Sequence, residues 1–133
     1  MKWKGKVFKT MKVMISIKPE FADKIFTGIK KYEFRKVLFK NNDIDTAIVY
    51  ASSPVQKVIG EFKIKSIISD APYSVWLQTK MYSGINKEYF DNYFLNRDIA
   101  HAIHIGDIKI YQIPKTLSSF GLKFPPQSFM YIR

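Results

Sequence analysis

The sequence predicts an α+β domain in which about six strands and three short helices share one core and the crossing strands curl into a barrel. Three observations carry this. Short β-branched or alternating segments recur along the chain, and helical stripes interrupt them at three places. No repeat, low-complexity tract or linker divides the 133 residues, of which 47% are apolar, so one core of ordinary size is expected.

Residues 1–12 read as a basic leader with Trp3 and Phe8 set among lysines, and residues 13–133 as one domain. Val13-Met14-Ile15-Ser16-Ile17 is a buried strand by its unbroken β-branched and apolar run. Lys18-Pro19-Glu20 ends it and opens a helix, with proline at the first turn and an acid where the helix dipole favours one. Phe21, Ala22, Ile25, Phe26 and Ile29 form its apolar stripe, and Thr27-Gly28 closes it. A second strand covers 30–37. Asn41-Asn42-Asp43 turns the chain into a third strand, Thr46 to Ala51, and Ser52-Ser53-Pro54 is a loop.

Lys57 to Ser66 alternates after Gly60, a glycine whose place inside a strand signals a bulge or a close backbone approach. Ala71-Pro72 starts a helix carrying Val75, Trp76 and Leu77. Another helix, about Asn86 to Leu95, is capped by Asn86 or Ser83 and carries Tyr89, Phe90, Tyr93 and Phe94, whose spacing reads as core packing. His101 to Tyr111 is a strand kinked at Gly106-Asp107. An irregular tail with Pro114 and Pro125-Pro126 ends in a last strand at Phe129-Met130-Tyr131-Ile132.

Charge is the informative bulk property. Twenty-two Lys and Arg face 11 Asp and Glu, a formal net charge of +11. Such a balance points to a polyanionic partner, nucleic acid first. A general lysine bias is the competing explanation, since only Arg35, Arg97 and Arg133 are arginines. The absence of cysteine excludes disulfides and thiolate metal sites. No apolar run reaches the ~20 residues of a membrane span, and no apolar core follows the basic start. A cytoplasmic location, no membrane, no metal and no cofactor are therefore expected, with the oligomeric state open.

Residues 28–36, Gly-Ile-Lys-Lys-Tyr-Glu-Phe-Arg-Lys, carry the strongest functional signal. On a strand Lys31, Glu33 and Arg35 share one face, with Tyr32 and Phe34 on the other. Lys18, Lys30, Lys31, Arg35 and Lys36 crowd one end of the first two strands. Arg35 suits a phosphate or carboxylate through two parallel hydrogen bonds, the lysines act as point charges, and the alternative is a solvated basic face.

With the strand, helix and second strand in place, the chain resembles the ASCH family of PUA-like domains. The likeness runs through Ile15-Ser16-Ile17-Lys18-Pro19-Glu20, Gly28, and Lys30-Lys31-Tyr32-Glu33-Phe34-Arg35-Lys36. It continues at Tyr50-Ala51-Ser52-Ser53-Pro54, Val58-Ile59-Gly60-Glu61-Phe62 and Pro125-Pro126-Gln127-Ser128-Phe129, covering nearly all of 13–133. The resemblance implies a PUA-like mixed β pseudo-barrel with a cleft beside the first helix that binds RNA or a modified nucleotide. Some members look like ribonucleases. Others are amidohydrolases on acylated nucleosides with a Lys/Thr/Glu arrangement; Lys30 matches its lysine, but Glu33 stands where the threonine would be, so the hydroxyl nucleophile is absent.

The candidate binding set is Lys18, Lys30, Lys31, Glu33, Arg35, Lys36, Ser53, Gln127 and Ser128, with Lys30 and Glu33 as the catalytic candidates. Glu33 is read as an orienter or base-edge acceptor, or else as a partner of Arg35. General-base work needs a carboxylate free of compensating charge, and Lys31 and Arg35 flank this one. His101 and His104, three apart on a strand, argue against a shared metal. Trp3, Tyr32, Tyr50, Trp76 and Tyr131 are the stacking candidates. The favoured reading is an RNA- or nucleotide-binding module. Its rivals are a hydrolase, a ribonuclease before an amidohydrolase, and a protein-interaction domain. A buried acid or nucleophile beside Lys30 would mark an enzyme; an open basic groove with an exposed aromatic would mark a binder.

Overall fold

The computed structural model describes residues 11–132, and before them the backbone of 2–3 and 6–7, which pair as short strands β1 (Lys2–Trp3) and β2 (Lys6–Val7). The side chains of the basic leader, Trp3 and Phe8 included, lie outside the described residues. The main sheet has six strands: β3 (Met11–Ile17), β4 (Tyr32–Arg35), β5 (Ile44–Ala51), β6 (Lys57–Asp70), β7 (Ala100–Lys115) and β8 (Phe129–Ile132). Their order is β4-β7-β6-β5-β3-β8, antiparallel throughout except for β3 beside β5.

That parallel pair explains the unbroken apolar runs near the start of the chain. Val13, Ile15, Ile17, Ala47 and Val49 face one core, under the helix α1 (Pro19–Phe26), together with Ala22, Ile25, Phe62 and Ile103. Met14, Ile48, Tyr50 and Val58 face the other side, covered by Leu117, Phe120 and Leu122. Strands buried on both faces need no polar alternation. A third cluster forms where α2 (Pro72–Thr79) and α3 (Lys87–Tyr93) pack Val75, Phe90 and Phe94 on Phe34, Ala100 and Ala102.

The expected barrel does not close. The sheet is open between its edge strands β4 and β8, which are tied by side chains and not by a backbone ladder. Arg35 at the end of β4 donates to the backbone oxygen of Ser128, just before β8, and Phe39 packs its ring on Phe129. Several boundaries also differ from the sequence reading. The second strand is 32–35, because Lys30 and Lys31 are still in the turn out of α1, their amides bonded to Lys24 O and Tyr82 O. β6 and β7 run longer than expected, since bulges absorb the residues that break their alternation. The kink at Gly106-Asp107 is such a bulge: Phe62 pairs with Ile108, and Ile64 already with Ile105. On α1 Ile29 is not part of the buried stripe; it is exposed, and Phe26 is half-buried.

Gly60 sits where β6 slips register, and a Cβ there would lie 2.6 Å from Lys109 O and 2.8 Å from the Phe26 ring. The backbone oxygen cannot give way. Gly60→Ala is expected to cost about 1–3 kcal/mol, read as a lower midpoint in urea denaturation. A midpoint unchanged from wild type would show that the strand relaxes freely there.

Candidate functional site

Beside α1, where the sheet stays open, lies a cleft of about 210 Å³. Its wall comes from four places in the chain: Ser16 to Lys18 at the end of β3, Phe21 on α1, Lys30 and Glu33 to Arg35 around β4, and Ile85, Tyr89 and Tyr93 on and before α3; Gln127 completes it. Each segment has a local reason to be there. Pro19 starts α1 at once after β3, so Lys18 is held at the rim with its carbonyl accepting from the amides of Phe21 and Ala22. Asn86 caps α3 by accepting from the Tyr89 amide at 2.8 Å, which fixes the first turn and turns Tyr89 and Tyr93 toward the cleft.

Lys30 is the unusual residue. It is 2% exposed, the largest fully buried side chain, and its Nζ donates to Ser83 O at 2.6 Å. The ammonium lies 4.6 Å from the Phe34 ring centre and 5.5 Å from that of Phe21. Burial pulls its pKa from 10.5 down to about 8; Glu33 acts in the opposite sense and Lys24 adds to the lowering. Its stem rests against Gly84, which adopts φ +71°; a Cβ there would come within 2.6 Å of Lys30 Cβ. The loop at 83–84 therefore supplies both the seat and the hydrogen-bond acceptor for this amine.

Glu33 is also buried and takes a hydrogen bond on Oε2 from Arg35 Nη1 at 3.1 Å. Arg35 Nη1 reaches Ser16 O at 3.4 Å, and Nη2 donates to both the backbone oxygen and Oγ of Ser128 at 2.9 Å. Both terminal nitrogens of Arg35 thus already hold protein oxygens, and the guanidinium closes the seam of the sheet. These bonds make Arg35 a tie between β4 and the ends of β3 and β8, and the ion pair of Glu33 with Arg35 is present. Tyr93 donates to Phe34 O at 3.3 Å; burial raises its pKa, with Arg35 acting against that.

Lys18, Lys30, Glu33, Arg35 and Gln127 of the candidate set line the cleft, and Ser128 stands behind Arg35. Lys31, Lys36 and Ser53 do not line it. Lys31 lies over the Tyr82 ring and Lys36 over the Tyr93 ring, while Ser53 is in the exposed loop after β5. The shared face expected for Lys31, Glu33 and Arg35 fails at Lys31 because the strand starts only at Tyr32, two residues later than expected. The stacking candidates are placed elsewhere too. Tyr50 is buried, Trp76 packs on Phe90, Tyr131 accepts from Lys40 N, and Tyr32 stacks on His104. The cleft aromatics are Phe21, Tyr89 and Tyr93. Reading the four α3 aromatics as core holds for Phe90 and Phe94 and for Tyr93, which packs on the same cluster while one side of it lines the cleft; Tyr89 belongs to the cleft alone, and hydroxylated rings at i, i+4 beside phenylalanines at i+1, i+5 was the available signal. Among the described residues no three His, Asp or Glu gather as a metal site.

A mixed sheet with three helices, open at one seam and carrying a cleft beside its first helix, is the α+β architecture of a PUA-like domain. The chain belongs to the ASCH domain family, whose model matches residues 15–109. The crystal structure of ASCH from Zymomonas mobilis superposes with a TM-score of 0.81 at 26% identity, covering 92% of this chain and 87% of that one. An ASCH domain-containing ribonuclease of Zymomonas mobilis is 27% identical over 126 residues, 90% of this chain and 83% of that protein. Large ribosomal subunit protein uL22 of Ureaplasma parvum is 32% identical over 124 residues, 93% of this chain; the chain spans only 40% of that relative's length.

Proposed function

We propose that this domain acts on RNA, admitting one unpaired nucleotide to the cleft and cleaving the strand there. The observation that carries the reading is the buried amine of Lys30 beside the buried carboxylate of Glu33. Sequence favours a binding module, but a buried acid next to Lys30 is what distinguishes an enzyme from an open basic groove. An amine with a pKa near 8 exists in both protonation states near neutral pH, as a proton-transfer group requires. The likeness to a protein named as a ribonuclease, over most of both chains, supports the same class. At about 210 Å³ the cleft is smaller than the ~300–1,000 Å³ that holds drug-sized ligands, which suits a single nucleotide and excludes a duplex.

In this reading the base lies against the Tyr89 ring, which Phe21 meets edge-on at 5.2 Å, Lys18 at the rim meets a phosphate, and Gln127 offers a donor and an acceptor to the base edge. Neutral Lys30 takes the proton of the ribose 2′-hydroxyl. The 2′-oxygen attacks the adjacent phosphorus, the 5′-oxygen leaves and takes a proton from water, and the hydroxide so formed takes the proton back from Lys30, leaving a 2′,3′-cyclic phosphate and the neutral amine. Glu33 and Arg35 keep the wall rigid. A cytoplasmic setting, where RNA is at hand, belongs to the same proposal.

End-labelled single-stranded RNA incubated with purified protein tests this. Products ending in cyclic phosphate are expected, with a rate that rises about tenfold per pH unit below 8 and levels above it. Intact RNA with salt-sensitive binding would return the protein to the binding class.

A further inference from the structure

Consecutive residues Lys30 and Lys31 leave the chain on different sides: Lys30 enters the cleft, and Lys31 emerges over the Tyr82 ring at 5.2 Å. The surface it reaches is not part of the cleft. There Tyr32 of β4 and His104 of β7 are directly paired across the strands, with their rings stacked at 4.7 Å and 20°. Ser66 of β6 is the next partner of His104, its Oγ 3.5 Å from Nδ1. Lys65 and Ser66 are exposed beside it, as is Lys31. Two exposed lysines and a hydroxyl therefore surround the stacked Tyr32–His104 pair on three adjacent strands.

We infer that this outer face, Lys31, Tyr32, Lys65, Ser66 and His104, is a second RNA contact that takes the phosphates of the strand where it leaves the cleft. Three features favour a nucleic-acid backbone over a folded protein. The patch carries two exposed lysines with no carboxylate among its residues. Its stacked rings give a flat platform that a base can extend. The short turn Lys80–Tyr82 links it to Ser83, the acceptor behind the cleft residue Lys30, and Lys31 N is bonded to Tyr82 O. His104 is poised to report on an anion. Partial burial and the charges of Lys65 and Lys31 hold its pKa below 6.5, and a bound phosphate reverses the effect of the two lysines. The inference rests on the cleft reading for its direction but uses none of the cleft's residues.

The test compares a dinucleotide with a single strand of about ten nucleotides, a usual footprint for one small domain, by fluorescence anisotropy over a series of salt concentrations. Wild type, Lys31→Ala/Lys65→Ala and Lys30→Met are measured. The long strand is expected to bind wild type more tightly than the dinucleotide. In the double variant that gain falls roughly tenfold, and the slope of log K against log salt shrinks by about 0.7 for each phosphate lost. In wild type the His104 ring resonances should titrate at higher pH when the long strand is added. Equal gain and slope in the double variant, with His104 unmoved, overturn the inference while leaving cleavage in place. Lys31- and Lys65-dependent binding without cleavage supports the patch and sinks the cleft chemistry. No binding of either RNA at low salt overturns both.

Discussion

Lys30→Met is expected to abolish RNA cleavage, by about 10²–10⁴-fold for a lost proton-transfer group, and at the same time to make the protein more stable near pH 7. Depressing an amine from 10.5 to about 8 means that the folded state disfavours the charge by roughly 3 kcal/mol. Methionine keeps the stem that fills the space against Gly84 and the rings of Phe21 and Phe34. It loses the bond to Ser83 O, which costs about 1–2 kcal/mol. A net gain of about 1–2 kcal/mol remains. The pH dependence gives the sign independently. Between pH 8 and 10.5 the unfolded chain still holds the proton that the folded one has released, so wild-type stability rises through that window. The variant lacks this rise, and its advantage shrinks with pH. Urea denaturation at pH 7 and pH 9.5 checks both statements. A destabilised variant at pH 7 would mean that the charged amine is a net structural asset.

Arg35→Ala is expected to cost roughly 3–5 kcal/mol and to lower the melting temperature by roughly 10–20 °C. The substitution leaves the Glu33 carboxylate buried without its cation, and it removes the bonds that tie β4 to Ser16 and Ser128 across the open seam. Glu33→Gln in the same chain should restore part of the loss, because an amide is far cheaper to leave there than a charge. Thermal unfolding of the two variants is the measurement. An Arg35→Ala protein as stable as wild type would show that the seam is held by packing alone.

Much of the fold is legible in the residues. The β-branched run 13–17, Pro19 and the alternation after Gly60 each specify their element locally, and a glycine inside a strand pattern at 60 already signals the close approach. The site is legible only where a residue type has one plausible use. The motif around Lys30 and Arg35 locates the cleft, but the roles within it follow from burial, a nonlocal property. Whether Arg35 meets a ligand or Ser128 depends on a contact 93 residues away, and Lys30 becomes a buried amine only because Gly84 lets it lie flat. The late start of β4, at Tyr32 and not at Lys30, leaves Lys31 on the outer face. Turn geometry sets that start, and periodicity does not resolve it.

The seam has a consequence for how the protein is made. Ser16 accepts from Arg35 and its hydroxyl donates to Pro126 O, 110 residues later, and Arg35 awaits Ser128. Domains grow from the ribosome with the amino-terminal segments first. Lys18, Lys30 and Glu33 therefore emerge long before the residues that lock their wall. A nascent chain, held beside the very message that encodes it, carries these residues apart, and the wall they share is completed only when the tail is threaded back between the first strand and the open edge.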